Sequence, residues 1–528
     1  MFPRNEISNI IPQTIPKVLE YPAAQSTAAA RRTCHKAQPQ RNDTASVAVP
    51  AARWRRQRSS ARSVPAHNTN NKDLPMKPVT SQKANHPAKP QGTNHHMPVE
   101  WKKEVETAQG TPAVEASLAD KTSIICRLAA LFLQSGAGGW RVRDAVNRAS
   151  AALGVTSTVS IGLTDLECTV RQSGNTLSQT VVIPDSGVNT NLILDLDTFL
   201  KTIDEKGSQL SVHQYHAAMD EMKAKKQLYS PAVSALASAF ACGAFTFLLG
   251  GGPIEMLCAF IGAGLGQLVR KLLLGNKLNQ LLAAGAGVVA ACASYVFALF
   301  LLSFVYPGAL QHQMGYIGAM LFVIPGFPLI TAALDMYLFD MRSGIERLTY
   351  AVMVIAISTL IGWLLAVAFQ LQPGEFITYE LPEGALLVFR LLAAFVGVFG
   401  FSLMFNSPVK VALTAGAIGA VADTTNLELV NYFSFAPEIG ALTGALIAGF
   451  LASAVWRATK CPRTVITVPS VVIMIPGLYM YKAMFYLASF EVSDAATCLI
   501  RAVMVVVFLP LGLCIARALT DPHWRHTS

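Results

Sequence analysis

Residues 322–335 read Phe322-Val-Ile-Pro325-Gly326-Phe-Pro328-Leu-Ile-Thr-Ala-Ala-Leu-Asp335, an apolar run interrupted by two prolines and a glycine. Proline inside a helix lacks the backbone N–H donor and clashes with the carbonyl one turn earlier, so we expect this helix to be broken. Asp335 follows within a few turns and places an ionisable group inside the membrane or at its edge. A broken membrane helix beside an ionisable side chain is typical of transport sites, and this segment therefore predicts one.

The composition supports a membrane protein. The chain has 528 residues, of which 52% are hydrophobic and 14% charged, whereas soluble proteins carry about 25% charged residues. The net charge of +10 comes largely from the first hundred or so residues. The nine cysteines show no metal-ligand spacing, so the sequence predicts small buried side chains and neither a metal nor a cofactor.

Residues 1–115 are predicted to be a disordered basic tail, because Ala, Arg, Gln, Asn, Pro, Ser and Thr dominate them without hydrophobic periodicity. The run Arg53-Trp54-Arg55-Arg56-Gln57-Arg58 lies in this tail. A basic tail near anionic lipid headgroups is favoured over a transit peptide, and an upstream start-site artefact is a third alternative. Nucleic-acid binding is not predicted, because no folded basic module accompanies the charge.

Residues 116–229 are predicted to form a small cytoplasmic α+β domain. Ile124, Leu128 and Phe132 recur at helical spacing, and a second helix ends near Gly154. Two further helices follow a strand region whose hairpin turn is placed at Ser173-Gly174-Asn175. The predicted strands and helices are 158–163, 167–172 and 179–183, then 191–203 and 212–226.

About ten apolar spans of membrane-crossing length follow. They divide into a first membrane half, 230–372, and a second, 373–528. Lys and Arg occur in alternate short loops and are absent from the others, so both termini and the α+β domain are expected to be cytoplasmic. The predicted limits are 232–250, 253–270, 280–305, 314–338, 347–370, 384–405, 408–424, 438–456, 465–487 and 495–518.

The two halves are weakly similar to each other. Ile324-Pro325-Gly326 matches Ile475-Pro476-Gly477, and the same offset places Ala351-Val-Met-Val354 on Ala502-Val-Met-Val505. Each half contains five predicted spans, an odd number, so the second half must enter the membrane with the opposite orientation. The fold class predicted is therefore a polytopic α-helical membrane protein with two five-helix inverted repeats, the arrangement of many alternating-access transporters.

The segment from Pro325 through Asp335 to Ser343-Gly344 and Arg347 resembles the signature region of the threonine/serine exporter family. The run Leu131-Phe-Leu-Gln-Ser-Gly-Ala137 resembles the cytoplasmic domain of that family, and Pro462-Arg-Thr-Val-Ile-Thr-Val-Pro469 resembles its second half. The resemblance covers roughly residues 120–518 and implies a fused form of two halves that are separate chains in some relatives. It also implies export of small amino acids across the inner membrane, driven by the proton gradient, with no enzymatic activity.

Candidate site residues follow from the breaks and from ionisable groups in the spans. Broken helices expose amides and carbonyls that a zwitterionic amino acid could contact, although a kink for packing is the structural alternative. Asp335 and Glu255 are candidates for proton coupling; the alternatives are an Asp335 solvated at a helix end or paired with Arg342, and a Glu255 solvated at the outer entrance. The candidates for the translocation path are Pro325, Gly326, Pro328, Pro476, Gly477, Lys482 and Arg390.

The leading hypothesis is a secondary exporter of threonine and serine with proton antiport, in contact with the lipid bilayer. A homo-oligomer and a monomer are both left open as its state of assembly. Export of a small dicarboxylate such as succinate is the alternative, because Lys482 and Arg390 would suit a second carboxylate. A membrane-bound hydrolase is a distant alternative without a supporting motif, and an ATP-driven pump lacks a phosphate-binding loop. A passive channel would not require two broken helices.

Overall fold

The computed structural model describes residues 99–524 except 103–104, 184–186, 372–373, 375, 378–380 and 460. Most of the predicted tail, residues 1–98, lies outside the described residues. The remainder of that tail is folded in part: the amide of Thr107 donates to Asp120 Oδ2 at 2.9 Å, and the amide of Ala113 donates to the Leu210 carbonyl at 2.8 Å. The ordered domain therefore begins before residue 116, earlier than the sequence predicts.

The N-terminal domain combines helices with a three-stranded antiparallel sheet in the order β1-β2-β3. Ser173 and Gly174 both have positive φ, as a tight two-residue hairpin turn requires, and they join β2 to β3. The third strand is longer than predicted and begins directly after this turn. The elements are α1 (Leu118–Gln134), α2 (Gly139–Ala152), β1 (Thr156–Ile161), β2 (Asp165–Gln172), β3 (Asn175–Val182), α3 (Thr190–Lys206) and α4 (Val212–Ala224).

Alternation along β2 determines how this domain packs. Leu166, Cys168 and Val170 are buried on one face of the sheet, against α1. Side-chain caps define the helix starts: Ser117 accepts the amide of Asp120, and Ser211 forms a capping box with Gln214 at the start of α4.

The rest of the described chain is helical. Two prolines with ψ near 60°, Pro325 and Pro476, divide two of the spans into bent pairs, 313–323 with α9 (56°) and 463–474 with α15 (44°). The helices are α5 (Pro231–Leu248), α6 (Pro253–Gly275), α7 (Gln280–Ser303), α8 (Tyr316–Met320), α9 (Gly326–Tyr337), α10 (Met341–Ala368), α11 (Glu383–Met404), α12 (Val409–Asn431), α13 (Pro437–Thr459), α14 (Arg463–Val471), α15 (Gly477–Ala488) and α16 (Val492–Thr520).

These helices make the chain a polytopic helical membrane protein. Among the described residues, seven helices are long and apolar enough to cross a bilayer, and up to nine if each bent pair is one span. The predicted count is ten. The difference is α12, which has sufficient length but carries Lys410, Asp423 and Glu428 and is not among the candidate spans.

The two membrane halves meet along α5 and α11, and the N-terminal domain contacts both halves. The Thr190 hydroxyl donates to the Phe405 carbonyl at 3.0 Å, and the Tyr229 hydroxyl donates to the Ser407 carbonyl at 2.7 Å, both in the loop between α11 and α12. At the end of α16, the Arg517 guanidinium stacks 4.3 Å from the ring centre of Trp140 on α2. The domain is therefore attached at several separate loops of the membrane part.

Candidate functional site

Pro325 and Pro476 adopt the same backbone conformation. Their φ and ψ angles are −81° and 62° for Pro325 and −79° and 54° for Pro476, values typical of an inverse γ-turn. In each turn the glycine amide donates to the isoleucine carbonyl two residues earlier, at 2.8 Å in both cases. The amides of Gly326 and Gly477 are thus bonded within their own turns, contrary to the expectation that the breaks leave them free for a substrate.

The two breaks contact each other through their glycines. A methyl group built on Gly326 would lie 2.5 Å from Ile475 Cδ1 and also collide with Val472, while one on Gly477 would lie 2.5 Å from Ile324 Cδ1. The contact is reciprocal, because each glycine meets the isoleucine that precedes the other proline. No room for a side chain exists between the two breaks in this conformation.

Pro328 does not interrupt α9 a second time. It is the third residue of that helix, in the first turn, where a missing amide donor breaks no intrahelical hydrogen bond. The hydroxyl of Thr331 donates to the Phe327 carbonyl at 3.0 Å, so it is used within the same helix. Of the two prolines in this segment, only Pro325 breaks the span.

Asp335 lies at the contact between the membrane part and the N-terminal domain. It is fully buried, and its Oδ1 accepts the amide of Gly139 at 2.8 Å, in the first turn of α2. Its Oδ2 accepts the Ser343 hydroxyl at 2.8 Å and lies 3.4 Å from Arg347 Nε. The carboxylate therefore binds a helix N-terminus and a cation at once, both of which favour negative charge.

The Arg347 side chain completes this arrangement from α10. It donates to the carbonyl of Ala137 at 2.6 Å and is itself buried. Methyl groups on Gly138 or Gly139 would lie 2.8 Å from Asp335 Oδ1 and 3.2 Å from Ser343, so this loop can approach only because it lacks side chains. We call Asp335, Ser343, Arg347, Gly138 and Gly139 the Asp335 cluster.

Asp335 thus pairs with Arg347, and Arg342 has other partners. Arg342 reaches Asp165 at 2.5 Å and Glu346 at 3.1 Å, at an exposed part of the same domain contact. The sequence analysis names Ser343 and Arg347 only within the family resemblance and does not predict their contact with Asp335. Helical spacing does not predict this contact, because Phe339, at positive φ, separates α9 from α10, and the residues that meet lie on different helices.

Glu255 is buried, not solvated at an edge. Its Oε1 lies 2.7 Å from His312 Nδ1, and its Oε2 accepts the amide of Gly252 at 3.0 Å. The Tyr295 hydroxyl donates to the His312 carbonyl at 2.6 Å and closes the cluster. His312, which the sequence does not distinguish from an exposed loop residue, is 4% exposed.

Lys482 and Arg390 lie apart from these acids. Arg390 pairs with Glu428 at 2.7 Å, which links α11 to α12. Lys482 is half-buried on α15. Since Asp335 pairs with Arg347 and Glu255 with His312, the expected pairing of Lys482 with either acid does not occur.

One buried polar contact near the breaks is not predicted from the sequence. The hydroxyls of Tyr316 on α8 and Tyr481 on α15 are hydrogen-bonded to each other, and their rings pack edge to face with centroids 5.6 Å apart. Both side chains are fully buried. A tyrosine in an apolar helix is common enough that sequence alone offers no signal for this pair.

A serine and a histidine also meet inside the N-terminal domain, and their surroundings do not suit hydrolysis. Ser123 Oγ lies 3.1 Å from His216 Nε2, but Arg127 Nη1 faces the other ring nitrogen at 3.0 Å. A catalytic triad needs an acceptor at that position to stabilise the imidazolium. Burial, reinforced by the Arg127 charge, instead lowers the pKa of His216 to about 4.

Comparison with known proteins identifies the family. Residues 123–370 match the family described as "Putative threonine/serine exporter", and residues 390–519 match "Threonine/Serine exporter, ThrE". The chain belongs to the threonine/serine exporter family. Threonine/serine exporters are a family of transporters and not of enzymes. The first match spans the N-terminal domain and the helices through α10, and the second spans α11 to α16, so both parts of the family are fused in this chain.

A curated relative of the threonine/serine exporter family extends this finding. The "Probable threonine/serine exporter" of Mycobacterium tuberculosis is 25% identical over 415 residues, which cover 75% of each chain. No solved structure matches significantly. The resemblance stated from the sequence is thereby confirmed.

Proposed function

We propose that this protein is a secondary exporter of threonine and serine that works by proton antiport and alternating access. Family membership supports amino-acid export, and the reciprocal contact of the two breaks supports the mechanism. Many alternating-access transporters are built from two similar halves that rock against each other around a site at their interface. The contacts of Gly326 with Ile475 and of Gly477 with Ile324 join two such segments.

An inverted repeat accounts for the geometry of the breaks. Helices α9 and α15 each have 12 residues and start 151 positions apart, and Phe339 and Phe490, also 151 apart, both have positive φ. The packing between the halves is also reciprocal. Helix α9 of the first half packs against α16 of the second, and α15 of the second half packs against α10 of the first. A two-fold axis between the halves produces reciprocal contacts of this kind.

Orientation follows from the loops that the N-terminal domain touches. Those loops, between α9 and α10, between α11 and α12, and at the end of α16, all lie on the side predicted to be cytoplasmic. A domain on that side agrees with the Lys and Arg distribution. We therefore propose ten spans, counting α12, in the inner membrane with both termini in the cytoplasm.

The test of this function is counterflow in proteoliposomes. Labelled threonine and serine are expected to accumulate when the lumen contains unlabelled threonine, and an imposed pH gradient is expected to drive uptake without internal substrate. Protein-free liposomes and a protonophore are the controls. Absence of threonine flux under every gradient would contradict the proposal, and flux of succinate in its place would favour the dicarboxylate alternative.

Glu255 is the acid that we propose for proton coupling on the outer side, with Asp335 as the inner candidate. A buried carboxyl beside a histidine can change protonation when the path opens to water. In Glu255→Gln proteoliposomes we expect uptake driven by the pH gradient to fall to the level without a gradient, while threonine exchange continues. Glu383→Gln, at an exposed helix start, is the matched control. Unchanged gradient-driven uptake in Glu255→Gln would exclude Glu255.

A further inference from the structure

The Tyr316–Tyr481 pair joins the two bent spans across the interface of the halves. Tyr316 belongs to the part of the first bent span that precedes Pro325, and Tyr481 lies one turn after Gly477 in the second. Gly362 of α10 lies so close that a methyl group there would be 3.1 Å from Tyr481 Cε2. Tyr481, from the second half, therefore packs against α10 of the first half beside Tyr316.

The hydrogen bonding of the pair is incomplete. Each phenol carries one O–H donor, and a hydroxyl–hydroxyl contact uses only one of the two protons. Among the described residues, neither hydroxyl makes a second hydrogen bond. One O–H donor is thus left without an acceptor in a fully buried, mostly apolar place, where an unmade hydrogen bond is costly.

We propose that Tyr316 and Tyr481 hold the carboxylate of the substrate, and that their mutual hydrogen bond replaces it when the halves are closed. This inference rests on the proposed function and names ligands for its site. A carboxylate accepts from two O–H donors at once, which satisfies both phenols. Neutral donors also suit a path that must close without substrate, because a buried cation would then be left uncompensated.

The same assignment explains how the path closes. A movement of α15 away from α8 separates the phenols, so opening of the interface exposes both hydroxyls to the substrate. After substrate leaves, the hydroxyls bond to each other again and the site is dry. The two breaks, in contact through each glycine and the isoleucine of the opposite break, close the path beside them.

The experiment compares Tyr316→Phe and Tyr481→Phe with Tyr350→Phe in proteoliposomes. Tyr350 is the matched control, because its hydroxyl bonds to Gln280 at 2.9 Å, away from the interface of the halves. We expect each interface variant to raise the KM for threonine about tenfold or more, the usual effect of losing a hydrogen bond to a charged group. The Tyr350→Phe variant should retain the wild-type KM.

A competition assay separates substrate binding from a structural role. Threoninamide, which lacks the carboxylate, should compete poorly with labelled threonine for transport by the wild-type protein. The ratio of its inhibition constant to that of unlabelled threonine should be about tenfold smaller in both interface variants. An unchanged ratio, or an equal KM increase in Tyr350→Phe, would overturn the assignment. If the wild type carries succinate and no threonine, the proposed function fails, but the two variants should still raise the KM for succinate about tenfold.

Discussion

Asp335→Asn is expected to lower the free energy of unfolding by about 3 kcal/mol or more, because it leaves the buried Arg347 guanidinium without its counter-charge. The substitution is nearly isosteric, so little of the loss would come from packing. Thermal unfolding of the purified protein in detergent measures the change. The N-terminal domain should also become more accessible to protease, since its α2 helix is attached through the same carboxylate.

Two further variants make this expectation specific. Asp165→Asn removes an ion pair with Arg342 at the same domain contact, but that arginine is 45% exposed, so the loss should stay below about 1 kcal/mol. Adding Arg347→Met to Asp335→Asn should restore part of the stability, because no unpaired charge then remains buried. Equal losses from Asp335→Asn and Asp165→Asn would show that the Asp335 cluster is not the main attachment of the domain.

Gly477→Ala is expected to destabilise the closed conformation by about 1 to 3 kcal/mol and to reduce threonine flux, because its methyl group meets Ile324 Cδ1 at 2.5 Å and Leu321 Cδ2 at 2.8 Å. Gly326→Ala should have a similar effect, because the contact is reciprocal. Thermal unfolding and proteoliposome flux of the two variants measure both consequences.

Compensation tests the geometry of this contact. Ile324→Val removes the Cδ1 atom and should recover part of the stability of Gly477→Ala, while it should recover none in Gly326→Ala. Gly384→Ala is the control for glycine substitution as such, because no atom lies within 4 Å of the added methyl group. If Gly477→Ala and Gly384→Ala unfold at the same temperature, the breaks are not in contact in the detergent-solubilised protein.

The variants Asp335→Asn and Gly477→Ala both disturb contacts of helix α9. The Asp335 cluster ties α9 and α10 to the N-terminal domain, and the break glycines tie α9 to the second half. Helix α9 is therefore restrained at both ends. Under the proposed mechanism, a displacement of α9 relative to both of its neighbours would break one or both of these contacts.

The sequence predicts local conformation where that conformation depends on a residue's own backbone. The breaks at Pro325 and Pro476 and the hairpin turn at Ser173-Gly174 agree with the local rules for proline and glycine, although Pro328 and Pro510 lie within helices without breaking them. The offset shared by the two Ile-Pro-Gly segments and their flanking matches also indicated that the breaks occupy corresponding positions in the two halves. Hydrophobic length located the helices, although the charges of α12 weaken its assignment as a span.

The sequence does not predict the hydrogen-bond and ion-pair partners of the buried side chains, because these depend on which distant residues the fold brings together. An acid in an apolar helix could be solvated, paired or catalytic, and its sequence neighbours do not distinguish these states. Asp335 meets Gly139, which is 196 residues away, and Glu255 meets His312, which is 57 residues away. Long-range contact of this kind leaves no local pattern.

By itself, then, the sequence determined that this is a helical membrane protein of the threonine/serine exporter type with two proline breaks in corresponding positions. Only the tertiary structure decided that the breaks face each other through glycine, that Asp335 is held by the N-terminal domain, and that two tyrosines meet across the halves. The physical reason is that turn and span formation depend on a residue's own backbone and burial. Hydrogen bonding between elements depends instead on how those elements pack.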